Sequence, residues 1–257
     1  MPAAFTNDWD AQGYSHNARF VSDLGMAVVD LLAPRPYETI LDLGCGDGAL
    51  TANLAALGVA VTAIDSSPSM VAAAAKLGLN VHLADMHEFD LGRRFDAVFT
   101  NAVLHWTRDI DEVVGRVAKH LMPDGRFVGE FGGFGNVAAI VTAMRASLAL
   151  EGAPPSAFSW YFPTPEEFGE VLENSGFEIV SAQLIPRPTP LPAGMAGWLT
   201  TFARPFAGHL EADAQKLVLA RAEELLAGSL CDKSGAWTAD YVRLRFHAVL
   251  RTPTSQA

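Results

Sequence analysis

The chain has 257 residues, half of them apolar, with a formal net charge of −11. This allows one sizeable core and argues against disorder, and an acidic balance without a basic run argues against nucleic acid and anionic membrane as main partners. Cys45 and Cys231 are too few for a disulfide framework or a cysteine metal cluster and suit a reducing compartment.

Residues 1–13 lack periodicity and read as an arm, and Asn7, Asp8, Trp9 and Asp10 stand where a signal peptide needs basic and apolar residues. No apolar run approaches the about 18 residues of a membrane helix, so a cytoplasmic protein is expected. From Ser15 to Ala33, Phe20, Val21, Leu24, Val28, Leu31 and Leu32 follow helical spacing, ended by Pro34 and Pro36. Ile40 to Leu43 reads as a strand running into a turn with glycines at alternate positions, Gly44, Gly46 and Gly48. A helix with Leu50, Leu54 and Leu57 on one face follows, and Gly58 marks its end.

Val59 to Ile64 is a continuous apolar strand ending at Asp65, and Ser67 with Pro68 is a strong helix start. A third strand, Asn80 to Ala84, ends at Asp85, and a fourth, Phe95 to Thr100, ends at Asn101. Ile110, Val113, Val114, Val117 and Leu121 mark an amphipathic helix closed by Pro123-Asp124-Gly125. A fifth strand, Arg126 to Phe131, meets the glycines 132, 133 and 135. Strands alternating with helices at this spacing predict a doubly wound parallel sheet.

Val137 to Leu150 is expected to be helical, and Gly152 to Pro165 a loop. Thr164 and Pro165 start another helix, and Phe177 to Ile185 is a sixth strand. The prolines at 186, 188, 190 and 192 are incompatible with a central strand. Helical segments follow near Met195 to Phe206 and from Glu211 to Ala227. Tyr241 to Leu250 alternates Val242, Leu244, Phe246 and Ala248 with Arg243, Arg245 and His247, as expected of an antiparallel edge strand with one face in water.

In a doubly wound sheet, ligands sit outside the carboxyl ends of the strands. Those ends here carry the glycine turn, Asp65, Asp85 and Asn101. Asp65 lies 21 residues after Gly44, a spacing that suits a carboxylate taking both hydroxyls of a ribose. Asp85 is placed to accept from an adenine amino group, with the main chain of Met86 beside a ring nitrogen. A lone aspartate at a strand end is usually a cap or turn former, but two in register beside a glycine turn favour an adenosine ligand. Gly44 to Ala49 also fits the loose pattern G-x-G-x-x-A, so a nicotinamide-dependent oxidoreductase is one alternative, and a cofactor-binding protein without catalysis is another. Asp42 and Asp47 are unattractive beside a pyrophosphate and better placed near the cationic groups of S-adenosylmethionine.

The stretches 40–48 and 95–106, with Asp65 and Ala84-Asp85-Met86, resemble successive motifs of the class I S-adenosylmethionine-dependent methyltransferases over roughly residues 37–131. Asn101 to Trp106, followed by Asp109, is similar to the trans-aconitate methyltransferase-like branch, and also to enzymes that methylate a malonyl carrier protein. The resemblance implies an α/β fold: a doubly wound, mostly parallel, seven-stranded Rossmann-like sheet with the last strand antiparallel and a small helical lid. It implies a single domain over 1–257, with an arm and helix at 1–34 and a cofactor-binding core at 35–135. Substrate-side helices and lid would fill 136–237 around the sixth strand, and a final edge strand and tail 238–257.

Carried onto this chain, the resemblance implies S-adenosylmethionine held by Gly44, Cys45 and Gly46, with Asp42 near its amino group. Asp65 would hold the ribose, Ser66 and Met70 the adenine side, Asp85 and Met86 the adenine edge, and Asn101 the sulfonium. Tyr14 would close over the cofactor. The Cys45 side chain reads as a packing group, since no base is evident beside it. Direct transfer without metal to a small molecule is expected, with a carboxylic acid as the candidate acceptor. His105 is the candidate base or acceptor-orienting group, with an equal claim to a structural role. Trp106 and Trp160 are candidate walls, with Phe158, Tyr161, Phe162, Trp198, Phe202 and Phe206 as further aromatics around an acceptor. Arg187 and Arg204 are candidates to meet a carboxylate, because a guanidinium fork suits two oxygens. Glu130 is a candidate partner for a cationic acceptor or for loop N–H groups.

Overall fold

A computed structural model describes residues 19–156 and 160–252, with side chains from residue 25 onward. Tyr14 and Phe158 lie outside the described residues. Among the described residues, seven strands form one sheet: β1 (Thr39–Leu43), β2 (Ala60–Asp65), β3 (Val81–Leu83), β4 (Phe95–Asn101), β5 (Leu121–Gly132), β6 (Phe177–Pro190) and β7 (Thr238–Leu250). Their order is β3-β2-β1-β4-β5-β7-β6. β1 to β5 pair in parallel, and β7 runs antiparallel to both neighbours.

The parity of each strand decides what it packs. Leu41, Leu43, Val98 and Phe127 join Val113, Val114 and Val117 of the helix Ile110–Lys119, and Phe168 and Leu172 of the helix Pro165–Asn174. Ile40, Ala97, Phe99 and Val128 meet Val28, Val29 and Leu32 of the helix Arg19–Leu32, and Leu50 and Leu54 of the helix Ala49–Ala55. Neighbouring residues on one strand therefore feed opposite layers, and each fully buried side chain of this size contributes about 1.5–3 kcal/mol relative to an exposed one. A third cluster joins the helices Ala138–Leu150, Gly194–Phe202, Arg204–Ala207 and Ala212–Leu230 over Ala239 and Tyr241 at the start of β7.

Local signals explain the helix starts. Ser67 caps Pro68–Lys76 by accepting from the Met70 N–H, and Thr164 with Glu167 forms a complete capping box before Pro165. Leu121 pairs with Phe95 in the sheet instead of ending the preceding helix, and Leu57 lies beyond its helix and is exposed.

Two expectations are corrected. β7 is not an edge strand: it lies between β5 and β6, and β6 is the edge. β6 also does not stop at Ile185 but runs through Pro186 and Pro188 to Pro190. An edge strand pairs on one side only, so alternate residues need no inward N–H, and prolines fit there. Two of the polar residues of β7 accordingly turn inward. Arg243 is buried, and Arg245 pairs with Glu130.

Candidate active site

The carboxyl ends of the parallel strands and the start of the antiparallel β7 reach the same end of the sheet. There they line one cavity of about 310 Å³. Its wall includes Gly44 and Gly46 after β1, Asp65 and Ser66 at β2, Met70, Asp85 and Met86 beyond β3, and Asn101 at β4. His105, Trp106, Trp160 and Phe162 continue it, and Tyr241 and Arg243 of β7 complete it.

The three glycines of the first turn serve different ends. All have positive φ, at +78°, +56° and +84° for Gly44, Gly46 and Gly48. A Cβ on Gly44 would stand 2.3 Å from Val103, and one on Gly48 would stand 2.7 Å from Leu79, so both answer to packing. A Cβ on Gly46 would meet nothing within 4 Å, so the space above it is open cavity. The first N–H groups of the turn are taken by the protein. Gly44 and Cys45 donate to the Ile64 carbonyl at 2.9 and 3.0 Å, and Gly46 donates to Asp65 Oδ2 at 2.9 Å.

Asp65 also accepts from the Ser67 N–H at 2.9 Å and has the Ser66 N–H beside it, and the carboxylate lines the cavity, where it can accept from outside donors. Burial raises its pKa, and the hydrogen bonds from Ser67 and Gly46 oppose that rise. Asp85 Oδ1 takes the His87 N–H at 2.8 Å and lies 2.7 Å from His87 Nδ1, while His87 Nε2 lies 2.9 Å from Thr107 Oγ1. The Arg108 N–H points at that Nε2, at 3.4 Å, so the His87 proton belongs on Nδ1, facing Asp85. Burial raises the Asp85 pKa, yet these bonds from His87 outweigh it and the carboxyl lies below its ordinary range.

Two expected cofactor contacts lie behind the wall. Asp42 is buried and accepts from the Thr51 hydroxyl at 2.6 Å. It shares the parity of Ile40, which sends it into the layer under the sheet; burial pushes its carboxyl up to about 7. Cys45 packs with Ala63 and Ala74, and burial raises its thiol far above the usual range, so it is a packing group without cavity contact.

Both proposed arginines are elsewhere. Arg187 forms an ion pair with Glu130, which Arg245 also engages at 2.7 Å, so Glu130 holds two arginines inside the sheet and is not a cavity group. Arg204 is exposed and outside the wall. Arg243, in contrast, lines the cavity, with its guanidinium over the Tyr241 ring at 4.4 Å. Trp198 Nε1–H donates to the Tyr241 hydroxyl at 2.6 Å and fixes that ring. Trp160, Phe162, Trp198 and Phe202 line the cavity, whereas Tyr161 stacks on Phe131 and Phe206 is buried against Trp160.

His105 lies in the short turn Leu104–Trp106 after β4, 8% exposed, with Nδ1 accepting from the Gly132 N–H at 3.3 Å. Burial, and then the Arg243 cation, hold its pKa well below the ordinary histidine value. His87, Asn136, Tyr241 and Arg243 escaped the sequence reading. The signal for Arg243 and Tyr241 was available only through strand order, because β7 begins at the ligand end of its neighbour. Ala102 and Val137, at φ +60° and +45°, also line this wall, and such strained backbone tends to collect at functional sites.

The sheet order and this strand-end cavity define a Rossmann-like methyltransferase fold. The profile of the family described as "Methyltransferase domain" matches residues 41–127. An uncharacterized methyltransferase of Schizosaccharomyces pombe is 35% identical over 254 residues, which cover 93% of this chain and 97% of the relative. The chain belongs to the methyltransferase family. Trans-aconitate 2-methyltransferase of Mycobacterium tuberculosis is 31% identical over 147 residues, covering 54% of this chain and 56% of that one. The fold is also that of Haemonchus contortus phosphoethanolamine N-methyltransferase 2, solved with phosphomonomethylethanolamine and S-adenosylhomocysteine. That likeness has a TM-score of 0.59 at 15% identity and covers 94% of this chain and 57% of that one.

Family membership sets aside the nicotinamide and non-catalytic alternatives. The geometry agrees on the first, since Asp47 Oδ1 accepts from the Ala49 N–H at 3.1 Å and occupies the helix start a pyrophosphate needs. Among the described residues, no group of three or more His, Cys, Asp or Glu is placed to hold a metal, and no helix is long and apolar enough to cross a membrane.

Proposed function

We propose that the methyl acceptor is a small carboxylic acid, methylated on oxygen. The observation that carries this reading is Arg243, a buried cation in the wall of the cavity that also holds the glycine turn, Asp65 and Asp85. The likeness to trans-aconitate 2-methyltransferase over about half the chain supports it.

S-adenosylmethionine fits the near end of the cavity. The open space over Gly46 admits its methionine part, and the cavity-facing carboxylate of Asp65 suits the ribose hydroxyls. Asp85 and Met86 would meet the adenine edge, Ser66 and Met70 its face, and Asn101 the region of the sulfonium. When bound, the cofactor would supply a methyl on a cationic sulfur, for a carboxylate oxygen to take as the C–S electron pair returned to sulfur, giving a methyl ester and S-adenosylhomocysteine. An ionised acid needs no base for this, so the chain's task is alignment and exclusion of water. Trp106, Trp160 and Phe162 provide the apolar enclosure.

The test is a transfer assay with labelled methyl donor against trans-aconitate and a panel of small acids, amines and phenols. Transfer to an acid is the expected result, and absence of transfer to every acid overturns it.

A further inference from the structure

Three side chains at the far end of the cavity come together around Gly132. Its N–H donates to His105 Nδ1 at 3.3 Å. A Cβ built on it would stand 2.7 Å from Asn136 Nδ2. Its cross-strand partner on β7 is Arg243. His105, Asn136 and Arg243 all line the cavity and are buried to within a tenth of their surface.

The hydrogen bonds settle which atoms are offered there. A main-chain N–H can only donate, so His105 Nδ1 carries the lone pair and the ring proton sits on Nε2. Among the described residues, no protein group bonds that Nε2. The Val242 N–H donates to Asn136 Oδ1 at 3.0 Å, which fixes the amide with its NH2 as the remaining polar group. A guanidinium has donors alone.

We propose that His105 Nε2–H, Asn136 Nδ2–H and Arg243 form a donor-only anion site that holds the acceptor's carboxylate, with His105 acting as a hydrogen-bond donor and not as a general base. This rests on the reading of the acceptor as a small acid. The groups packed around the imidazole agree with it. Trp106 and Phe162 lie at ring-centroid distances of 5.3 and 6.0 Å, the charged group acting on the ring is Arg243, and the nearby Glu130 is engaged by Arg187 and Arg245. Nothing there would take up a proton beside the ring, and the Gly132 N–H holds the neutral imidazole in the tautomer that presents Nε2–H as a donor. The arrangement favours acceptors that arrive ionised and rejects amines and alcohols, which need a base.

The experiment compares wild type with Asn136→Asp and Arg243→Gln, both close to the original shape. Binding of S-adenosylhomocysteine by calorimetry reports on folding and on the cofactor end, and should stay within about twofold. Binding of trans-aconitate, or whichever acid the wild type methylates, to the S-adenosylhomocysteine-loaded protein should weaken by about 10- to 100-fold in each variant, as for loss of a hydrogen bond to a charged group. KM should rise more than kcat falls. Imidazole 15N spectra should show His105 neutral with the proton on Nε2 from pH 6 to 9, with a flat rate profile over that range. Unchanged acid binding in both variants, or a rate that follows deprotonation of His105, overturns the proposal while leaving the acid reading intact. A wild type that binds S-adenosylhomocysteine but methylates no acid overturns both.

Discussion

Asp65 Oδ2 accepts from the Gly46 main-chain N–H at 2.9 Å, so one carboxylate both closes the glycine turn and faces the cavity beyond it. Asp65→Asn keeps the size but removes the charge and turns an NH2 group towards one of two N–H donors. Affinity for S-adenosylhomocysteine should fall by about 10- to 100-fold, the cost of losing charge-assisted hydrogen bonds. Calorimetry checks this, and unchanged affinity would remove Asp65 from the ribose site.

Gly44 and Gly46 should separate under substitution by alanine. Gly44→Ala places a methyl against Val103 at positive φ and should destabilise the fold by about 1–3 kcal/mol. Gly46→Ala meets no protein atom, so it should cost less stability, yet its methyl projects into the cavity. Thermal unfolding should rank Gly44→Ala as the less stable, and S-adenosylhomocysteine titration should show a clear loss for Gly46→Ala. Equal binding by Gly46→Ala and wild type would mean that the cofactor does not approach this turn.

His87 should act on cofactor binding through Asp85. Removing the imidazole in His87→Ala frees a carboxylate whose side chain is 43% exposed, so the effect is moderate. A two- to tenfold loss of S-adenosylhomocysteine affinity is expected, about the worth of one net hydrogen bond. His87→Asn, which can still donate, should recover part of it.

Asp42 should give stability a pH dependence. Its carboxyl is pushed up to about 7 by burial, against an ordinary 3.8, and the Thr51 hydroxyl offsets only part of that. Between these values the unfolded chain carries the charge and the folded chain the proton, so the contribution to stability falls as pH rises and levels off above about 7. Asp42→Asn removes this loss, and its advantage over wild type should grow by up to about 4 kcal/mol between pH 4 and pH 8. Urea denaturation at several pH values measures it, and an advantage independent of pH would show that Asp42 is ionised in the fold.

Glu130 should prove structural. Glu130→Gln leaves Arg187 and Arg245 sharing a neutral group, and breaking a buried ion cluster this way costs about 3–5 kcal/mol. Arg187→Met should lower stability by less and leave acceptor KM unchanged. A raised KM with undisturbed stability would return Arg187 to the acceptor site.

The parts of the fold legible in the sequence are those written locally. Ser67-Pro68 and Thr164-Pro165 announce helix starts through their own hydrogen bonds, and Asp65 and Asp85 stand where strands end. The wall residues Gly44, Gly46, Asp65, Asp85, Met86 and Asn101 follow from that reading, and Ser66 and Met70 from the family resemblance. Asp42 and Cys45 do not, because one step in strand parity or one turn of the loop sends a side chain behind the wall. The last two strands defeat a local reading altogether. Alternation along β7 looks the same whether its polar face meets water or an internal carboxylate, and prolines in β6 look like breakers until the strand is known to pair on one side only. Arg243 was hidden by the first ambiguity. His87 and Asn136 depend on partners 20 and 106 positions away in sequence, which no local pattern encodes.

The position of β7 also sets an order of assembly. β6 precedes β7 in the chain but touches the sheet only through it. While the polypeptide emerges from the ribosome, β1 to β5 can pair among themselves, but β6 has no partner until residues 238–250 arrive and slip in beside β5. This is a late, long-range closure of the kind that slows folding and leaves strand edges briefly open to wrong partners. Tyr241 and Arg243 arrive with it, so a nascent chain could shape its cofactor side well before it has any means of choosing what to methylate.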